Sequence, residues 1–394
     1  MNILFIEMEQ QNLQFQKKLV EDGHNVVTMQ DKNSKYTHLF GIETTNLLPY
    51  KMMYNTEYGL GTYNPEIGNV RVLQIIQEYD IDFIICSCPS MRHLIEKLDI
   101  PCINTSLEAS QLETSKIFAR KFAEECDIKV PKMYTSGDNH LDFKPENIPS
   151  PFLLKPSNWW HSAAIVPDSS NWDMLKTNWM NIPAPFFCEE MIKGKETNIS
   201  YIMSEGHWSF TFSESCDESK AKWIFNTDPC AWFHNTIVEQ LTPEEDQKIR
   251  NNVVEYLNQA SKLGGTYEGS ITQMIGEDGE IYFLENNVRP YVHNTFPLPL
   301  GGNEYLDAFQ NNPQKIGDCF TGRKFPKLVF QGGSEYPLHL NTKYKIAEPT
   351  GISVKEDKYI VETGAIITVF EDEINMDFVN ELEKESDFQA YWGD

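Results

Sequence analysis

At 394 residues the chain is longer than one hydrophobic core usually serves, and 40% hydrophobic with 12% aromatic residues is the composition of a folded protein. Lys plus Arg number 33 against 58 Asp plus Glu, a net charge of -25, which repels polyphosphate backbones and argues against nucleic-acid binding. A small nucleotide stays open, because it needs only a few local cations.

The eight cysteines form no Cys-x-x-Cys pair, and Cys86 and Cys88 stand too close for a zinc half-site. MNILFIEM reads as a strand and not a secretory leader, and no stretch approaches the roughly 18 apolar residues of a membrane helix. The expectation is a cytoplasmic protein with reduced thiols and no membrane partner.

The first hundred residues alternate strand and helix signals: NILFIEM, a helix through Leu19, HNVVTM, a helix at Val72 to Glu78, IDFIICS, a helix from Met91 to Leu98, and PCINT. This alternation predicts βαβ units and a mostly parallel sheet. Glu7-Met8-Glu9-Gln10 follows the first strand where a dinucleotide site would carry G-x-G-x-x-G, which argues against such a site. TSKIFARKFAEECD predicts a helix capped by Thr114 or Ser115, with Ile117, Phe118 and Phe122 on its buried side. Short strands follow: PFLLKPS, AIVPD, PFFCEEMI, TNISYIMS and HWSFTFS. Thr242-Pro243 opens an amphipathic helix over 243–262. SITQMIGEDGEIYFLEN reads as a hairpin, further strands follow Gly332, and the stretch from Glu371 reads as a solvated acidic helix or frayed end.

Alternation puts Phe283, Glu285, Asn287 and Arg289 on one face of the second hairpin strand. A three-residue loop of Glu277, Asp278 and Gly279 would set Gln273 opposite Phe283, on that same face; a two-residue loop would separate them. Under the first register Gln273, Glu285 and Asn287 offer hard oxygen donors beside an Arg, which suits a Mg²⁺ ion that also holds substrate phosphates. Lys155 ends the strand PFLLKPS and Lys116 opens the helix before it.

In order, Lys116, Lys155, Glu189 to Glu196, Gln273, Glu285, Asn287 and Arg289 resemble the ATP-grasp superfamily over about residues 100–330. LETSKIFARKFAEECDIKVPKMY, PFLLKPS, CEEMIKGKETNIS and EDGEIYFLENNVRP are most similar to the phosphoribosylamine–glycine ligases. GTYEGSITQMIGEDGEIYFLENNVRP is also similar to biotin carboxylase and to carbamoyl phosphate synthetase, which places Gln at the position of Gln273. The resemblance implies an α/β and α+β multidomain protein. Its expected parts are a Rossmann-like domain (1–110), a small ATP-grasp lid subdomain (111–192), a large subdomain with the Mg²⁺ site (193–330) and a small β-rich domain (331–394). It implies ATP and Mg²⁺ as cofactors. Lys116 and Lys155 would hold the phosphates, and Glu189, Glu190 and Ile192 would form the hinge that reads adenine. Glu196 would take the ribose hydroxyls, and Gln273, Glu285 and Asn287 the metal. Arg289, with Lys155, would act on the transferring phosphoryl group.

Four segments depart from that pattern. A Gly-rich lid is replaced by Lys155-Pro-Ser-Asn-Trp-Trp-His161-Ser-Ala-Ala. Ile6-Glu7-Met8-Glu9 and Cys86-Ser87-Cys88-Pro89-Ser90 stand where the glycine ligases bind their sugar phosphate, and Asn226 to Cys230 replaces a further Gly-rich loop. An acidic loop there favours a neutral or cationic amine. Tyr291, His293, Asn294, Thr295 and Lys220 are candidate substrate contacts. The expected activity is ADP-forming ligation of a small-molecule carboxylate, an amino acid such as glycine, to an amine through an acyl phosphate. A bicarbonate-dependent carboxylation and a non-catalytic nucleotide binder are the alternatives, and a homodimer is open.

Overall fold

The computed structural model describes residues 1–7, 12–30, 43–46, 54–55, 62–63, 65–87, 95, 97–157, 164–166, 168–173, 185–216, 236–238, 241–289, 299–321, 327–330, 335–344, 352–355, 358–361, 366–369 and 376–385. β1 (Asn2–Glu7), β2 (Asn25–Gln30), β3 (Glu43–Asn46), β4 (Phe83–Cys86) and β5 (Cys102–Ile103) form a parallel sheet in the order β3-β2-β1-β4-β5. The helices α1 (Leu13–Glu21) and α2 (Pro65–Glu78) connect its strands. Continuous apolar runs suit β1 and β4 because both sheet faces are covered. Ile3 and Phe5 pack with Phe15 and Leu19 of α1, while Leu4 and Ile6 pack with Val72 and Ile75 of α2. Most of the helix expected at Met91 to Leu98 lies outside the described residues.

A short helix α3 (Gln111–Thr114) precedes α4 (Lys116–Glu125), whose first turn is capped by Ser115: its Oγ accepts from the Phe118 amide at 3.3 Å. Ala119, Arg120 and Ala123 are the enclosed residues of α4. Phe118 and Phe122 pack against the same core, whereas Ile117 is only half-buried. Then β6 (Met133–Gly137), β7 (Phe152–Pro156), β8 (Ala164–Val166) and β9 (Phe186–Glu190) build an antiparallel sheet, β8-β7-β9-β6. Residues 191–193 lead from it into a second antiparallel sheet. Its strands are β10 (Gly194–Ser204), β11 (His207–Cys216), β12 (Thr266–Gly276) and β13 (Ile281–Asn287), in the order β11-β10-β12-β13.

One face of this larger sheet is covered by α5 (Pro243–Ala260), which starts at a capping box. The Thr242 hydroxyl accepts from the Glu245 amide at 3.2 Å, and the Glu245 carboxylate accepts from the Thr242 amide at 3.0 Å. Ile249, Val253, Tyr256 and Leu257 of α5 meet Ile199, Tyr201, Ile271 and Phe283 of the sheet. On the other face Ile202 and Phe212 join a core with α6 (Gly302–Asn311), α7 (Pro313–Phe320) and the parallel sheet. Thr236–Val238 pairs with Lys327–Phe330, and that strand with Ile366–Val369, so this small sheet draws on chain from both sides of residue 330. Three more strands and two helices, Leu338–Tyr344 and Met376–Glu385, complete the described carboxyl-terminal part.

The β12–β13 hairpin has the three-residue loop. Gly276 donates to the Glu280 carbonyl and Gly279 to the Gly276 carbonyl, both at 2.8 Å, and Gly279 takes φ +79°, a conformation that favours glycine. Gln273 pairs with Phe283, but Thr272 pairs with Glu285, so Leu284 is an unpaired bulge. The extra residue reverses alternation beyond it: Phe283 and Asn286 share the α5 face, and Glu285 and Asn287 point the other way. Asn286 accepts from the Tyr201 hydroxyl at 3.0 Å and donates to the Tyr256 hydroxyl at 3.1 Å, all three buried. Asn286→Ala should therefore lower stability by about 1–3 kcal/mol per stranded hydroxyl. The urea midpoint measures it, and a shift no larger than that of an exposed Asn would refute the role.

Candidate nucleotide and metal site

At the end of the small sheet, Lys155 of β7 is paired across to Phe187 of β9, which places it beside Glu189. Its Nζ lies 2.5 Å from one Glu189 oxygen, and Arg120 of α4 lies 2.5 Å from the other. The side chains of all three are nine-tenths or more buried. Lys155 is thus no surface charge. A buried carboxylate shared by two cations leaves a net positive group facing the space between the sheets.

On the larger sheet, the bulge turns Glu285 and Asn287 toward this group. Lys116 Nζ is 3.4 Å from Glu285, and its backbone amide donates to the Ser157 carbonyl at 3.0 Å. Burial pulls the Lys116 ammonium below the usual lysine range, with Lys155 adding to the effect and Glu285 opposing it. Burial pushes the Glu285 carboxyl upward, but Lys116, Lys155 and Arg289 outweigh it and hold it below the ordinary carboxylate value. Arg289 donates to Asn287 Oδ1 at 3.1 Å and pairs through Nε with Glu113 at 3.2 Å. The second Glu113 oxygen accepts from the Val288 amide at 2.9 Å. Glu113 therefore fixes both the chain direction after β13 and the guanidinium.

Gln273 departs from expectation. Because of the bulge at Leu284 it faces α5, where its Oε1 accepts from Asn252 at 2.7 Å and its Nε2 donates to the Ile249 carbonyl at 3.3 Å. It is fully buried there, on the opposite face from Glu285 and Asn287. In its place, register brings Thr272 beside Glu285, Asn198 beside Thr272 and Glu214 beside Asn198. Sequence reading missed these residues, as it missed Glu113 and Arg120. The one available signal was period-two polarity in Glu196, Asn198 and Ser200.

Glu190 and Ile192 stand half-buried at the junction of the two sheets, where Glu190 donates through its amide to the Lys132 carbonyl at 2.9 Å. Glu196 follows on β10, on the Asn198 face. Tyr291, His293, Asn294, Thr295 and Lys220 lie outside the described residues, as do residues 158–163 of the lid segment and Asn226 to Cys230. At the carboxyl ends of β1 and β4, Asn12 donates to the Ser87 hydroxyl at 3.0 Å. A cleft there is lined by Asn12, Ser87, Tyr267, Glu268, Val288 and Phe309 among others, and no Lys or Arg is among its described lining residues. This is the strand-order switch point of the parallel sheet, a usual ligand position in open α/β folds. Among the described residues no group of three or more His, Cys, Asp or Glu is placed to hold a metal ion, and no helix is long and apolar enough to cross a membrane.

No family model and no curated protein sequence matches the chain. Its fold matches solved structures over nearly the whole length. The L-amino acid ligase of Bacillus licheniformis superposes with TM-score 0.68 at 14% identity, covering 98% of each chain. Phosphoribosylamine–glycine ligase of Thermotoga maritima gives 0.61 at 15%, over 99% of this chain and 98% of that one. Biotin carboxylase of Campylobacter jejuni, in a β,γ-ATP complex, gives 0.61 at 13%, over 98% and 91%. The chain thus has the mixed α/β architecture of the ATP-grasp fold, with its parallel amino-terminal sheet and small carboxyl-terminal β-rich part.

Glu189→Ala should leave Arg120 and Lys155 buried without their shared counter-charge, costing about 3–5 kcal/mol. Urea denaturation checks it; an unchanged midpoint would mean that water screens the pair.

Proposed function

We propose that the chain is an ATP-dependent, ADP-forming carboxylate–amine ligase that works through an acyl phosphate. The observation that carries this reading is the convergence of buried Lys155, from the small sheet, and partly buried Lys116, from α4, on Glu285, Asn287 and Arg289. In the same reading the chain divides into functional parts at about residues 110, 192 and 330 and works in the cytoplasm.

Lys155 and Lys116 neutralise the ATP phosphates, the chain around Glu189, Glu190 and Ile192 holds the adenine edge, and Glu196 takes the ribose. Glu285 and Asn287 fit Mg²⁺: both offer hard oxygens on one face, and a Mg²⁺ ion shared with phosphates needs only one or two protein carboxylates. That ion would supply charge neutralisation between the phosphates. Arg289, held by Glu113, faces the negative charge of the transferring phosphoryl group; positioning and charge are most of what such transfers need. A carboxylate oxygen of the substrate attacks the γ-phosphorus and ADP leaves. The amine nitrogen then attacks the acyl carbon, phosphate leaves and the nitrogen sheds a proton.

The acidic run Glu7-Met8-Glu9, which starts at the last residue of β1, suits a neutral or cationic amine better than a sugar phosphate. An amino acid as the source of the carboxylate accords with the likeness in fold to an L-amino acid ligase.

A screen of ADP release with Mg-ATP, crossing amino acids with amines, should find a pair that turns over. Glu285→Ala with Asn287→Ala should abolish the signal, and Lys155→Ala should weaken ATP binding. ADP release with bicarbonate and no amino acid would support carboxylation instead. Tight ATP binding without release in any substrate pool would leave a nucleotide binder.

A further inference from the structure

The buried group at the end of the small sheet holds one more charge than it cancels. Glu189 is flanked by Lys155 and Arg120, and all three are buried. The two cations are not held alike. Arg120 donates an aligned hydrogen bond from Nη1 to Glu189 Oε2 at 2.5 Å. Lys155 Nζ lies equally close to Oε1, yet Oε1 has no hydrogen-bond partner among the described residues. The Lys155 contact is thus a meeting of charges without the alignment that a hydrogen bond needs. The carboxylate is committed to Arg120, and Lys155 is the member free to turn.

Helix geometry ties Arg120 to the nucleotide side of the fold. It follows Lys116 by four residues along α4, so both side chains leave the same side of the helix. Lys116 reaches Glu285 at 3.4 Å, and Arg120 reaches Glu189. Lys155 acts on the first of these pairs too: its charge favours the anionic form of Glu285 and disfavours the cationic form of Lys116.

The charge count decides what a phosphate meets here. With Arg120 present, two cations and one carboxylate leave a single positive charge. Without it, Lys155 and Glu189 would cancel as a close buried pair, and Lys155 could not turn to a phosphate without stranding a buried carboxylate.

We propose that Arg120 is a positioning residue for nucleotide binding: by holding Glu189, it leaves the charge of Lys155 available to the phosphates of ATP. This inference rests on the nucleotide site of the ligase reading above and adds a residue that acts on it through Lys155.

The test is calorimetry on the full chain with Mg²⁺, comparing a non-hydrolysable ATP analogue with adenosine, which has the base and ribose but no phosphate. The native chain should bind the analogue more tightly than adenosine. Arg120→Gln should weaken binding of the analogue about tenfold or more, the size of a lost contact to a charge, and leave adenosine binding unchanged. Combining Arg120→Gln with Glu189→Gln removes the carboxylate as well as its partner, restores one uncancelled cation and should recover the affinity for the analogue. A purely structural Arg120 predicts the opposite, because the second change would add damage to the first. Equal losses for analogue and adenosine in Arg120→Gln, an unchanged preference in that variant, or no recovery in the double variant would overturn the assignment. If the native chain binds the analogue no better than adenosine, the nucleotide reading falls and takes this inference with it. If the variants behave as stated and yet no ADP is released with any substrate pair, the ligase reading falls while the role of Arg120 stands.

Discussion

One unpaired residue, Leu284, decides what the large sheet offers to a ligand. Without the bulge, strict alternation from Phe283 would turn Glu285 and Asn287 into the α5 core, beside Tyr256, and bring Asn286 outward. With it, the amide that two tyrosines can satisfy goes in, and the groups that need a cation go out. Burying Glu285 unpaired would cost several kcal/mol, so the bulge relieves a conflict that the residue order itself creates. Functional rims of sheets are frequent bulge positions for this reason.

Around that strand end the charges form a chain of alternating sign. Arg120, Glu189 and Lys155 make one buried group; Lys116 and Glu285 make the next; Asn287, Arg289 and Glu113 make the third. Each cation has a carboxylate, so the chain is tolerable before a nucleotide arrives. The cations come from α4, from the small sheet and from the turn after β13, elements that share no sequence neighbourhood. A polyanion placed among them would engage all three at once.

Much of this was legible in the sequence. The apolar runs of β1 and β4, the Thr242-Pro243 cap and the Glu277-Asp278-Gly279 loop are local signals, and each formed the element it encodes. Lys155 was legible as a charge closing an apolar strand, Lys116 as the opening of a helix, and Glu285, Asn287 and Arg289 as polar residues at the end of the second hairpin strand; their joint role came from the family resemblance, and the structure brings them together. Gln273 failed because no residue type announces that Leu284 will go unpaired. Glu113 and Arg120 were missed because their partners are 175 and 69 residues away, a separation to which periodicity is blind. Asn198 and Glu214 were missed for a third reason: on an edge-to-centre row of a sheet, neighbours come from different strands.

Helix α4 belongs to two bodies at once. Phe118 and Phe122 are packed into the core of the large sheet, yet its first amide is bonded to Ser157 at the end of β7, and Arg120 is locked to Glu189 on β9. The small sheet therefore cannot swing away as a free flap. Any rotation has to pivot about α4, break those two links or drag Lys116 off Glu285. The helix works as an axle, and the opening of the cleft is geared mechanically to the position of a phosphate-facing charge.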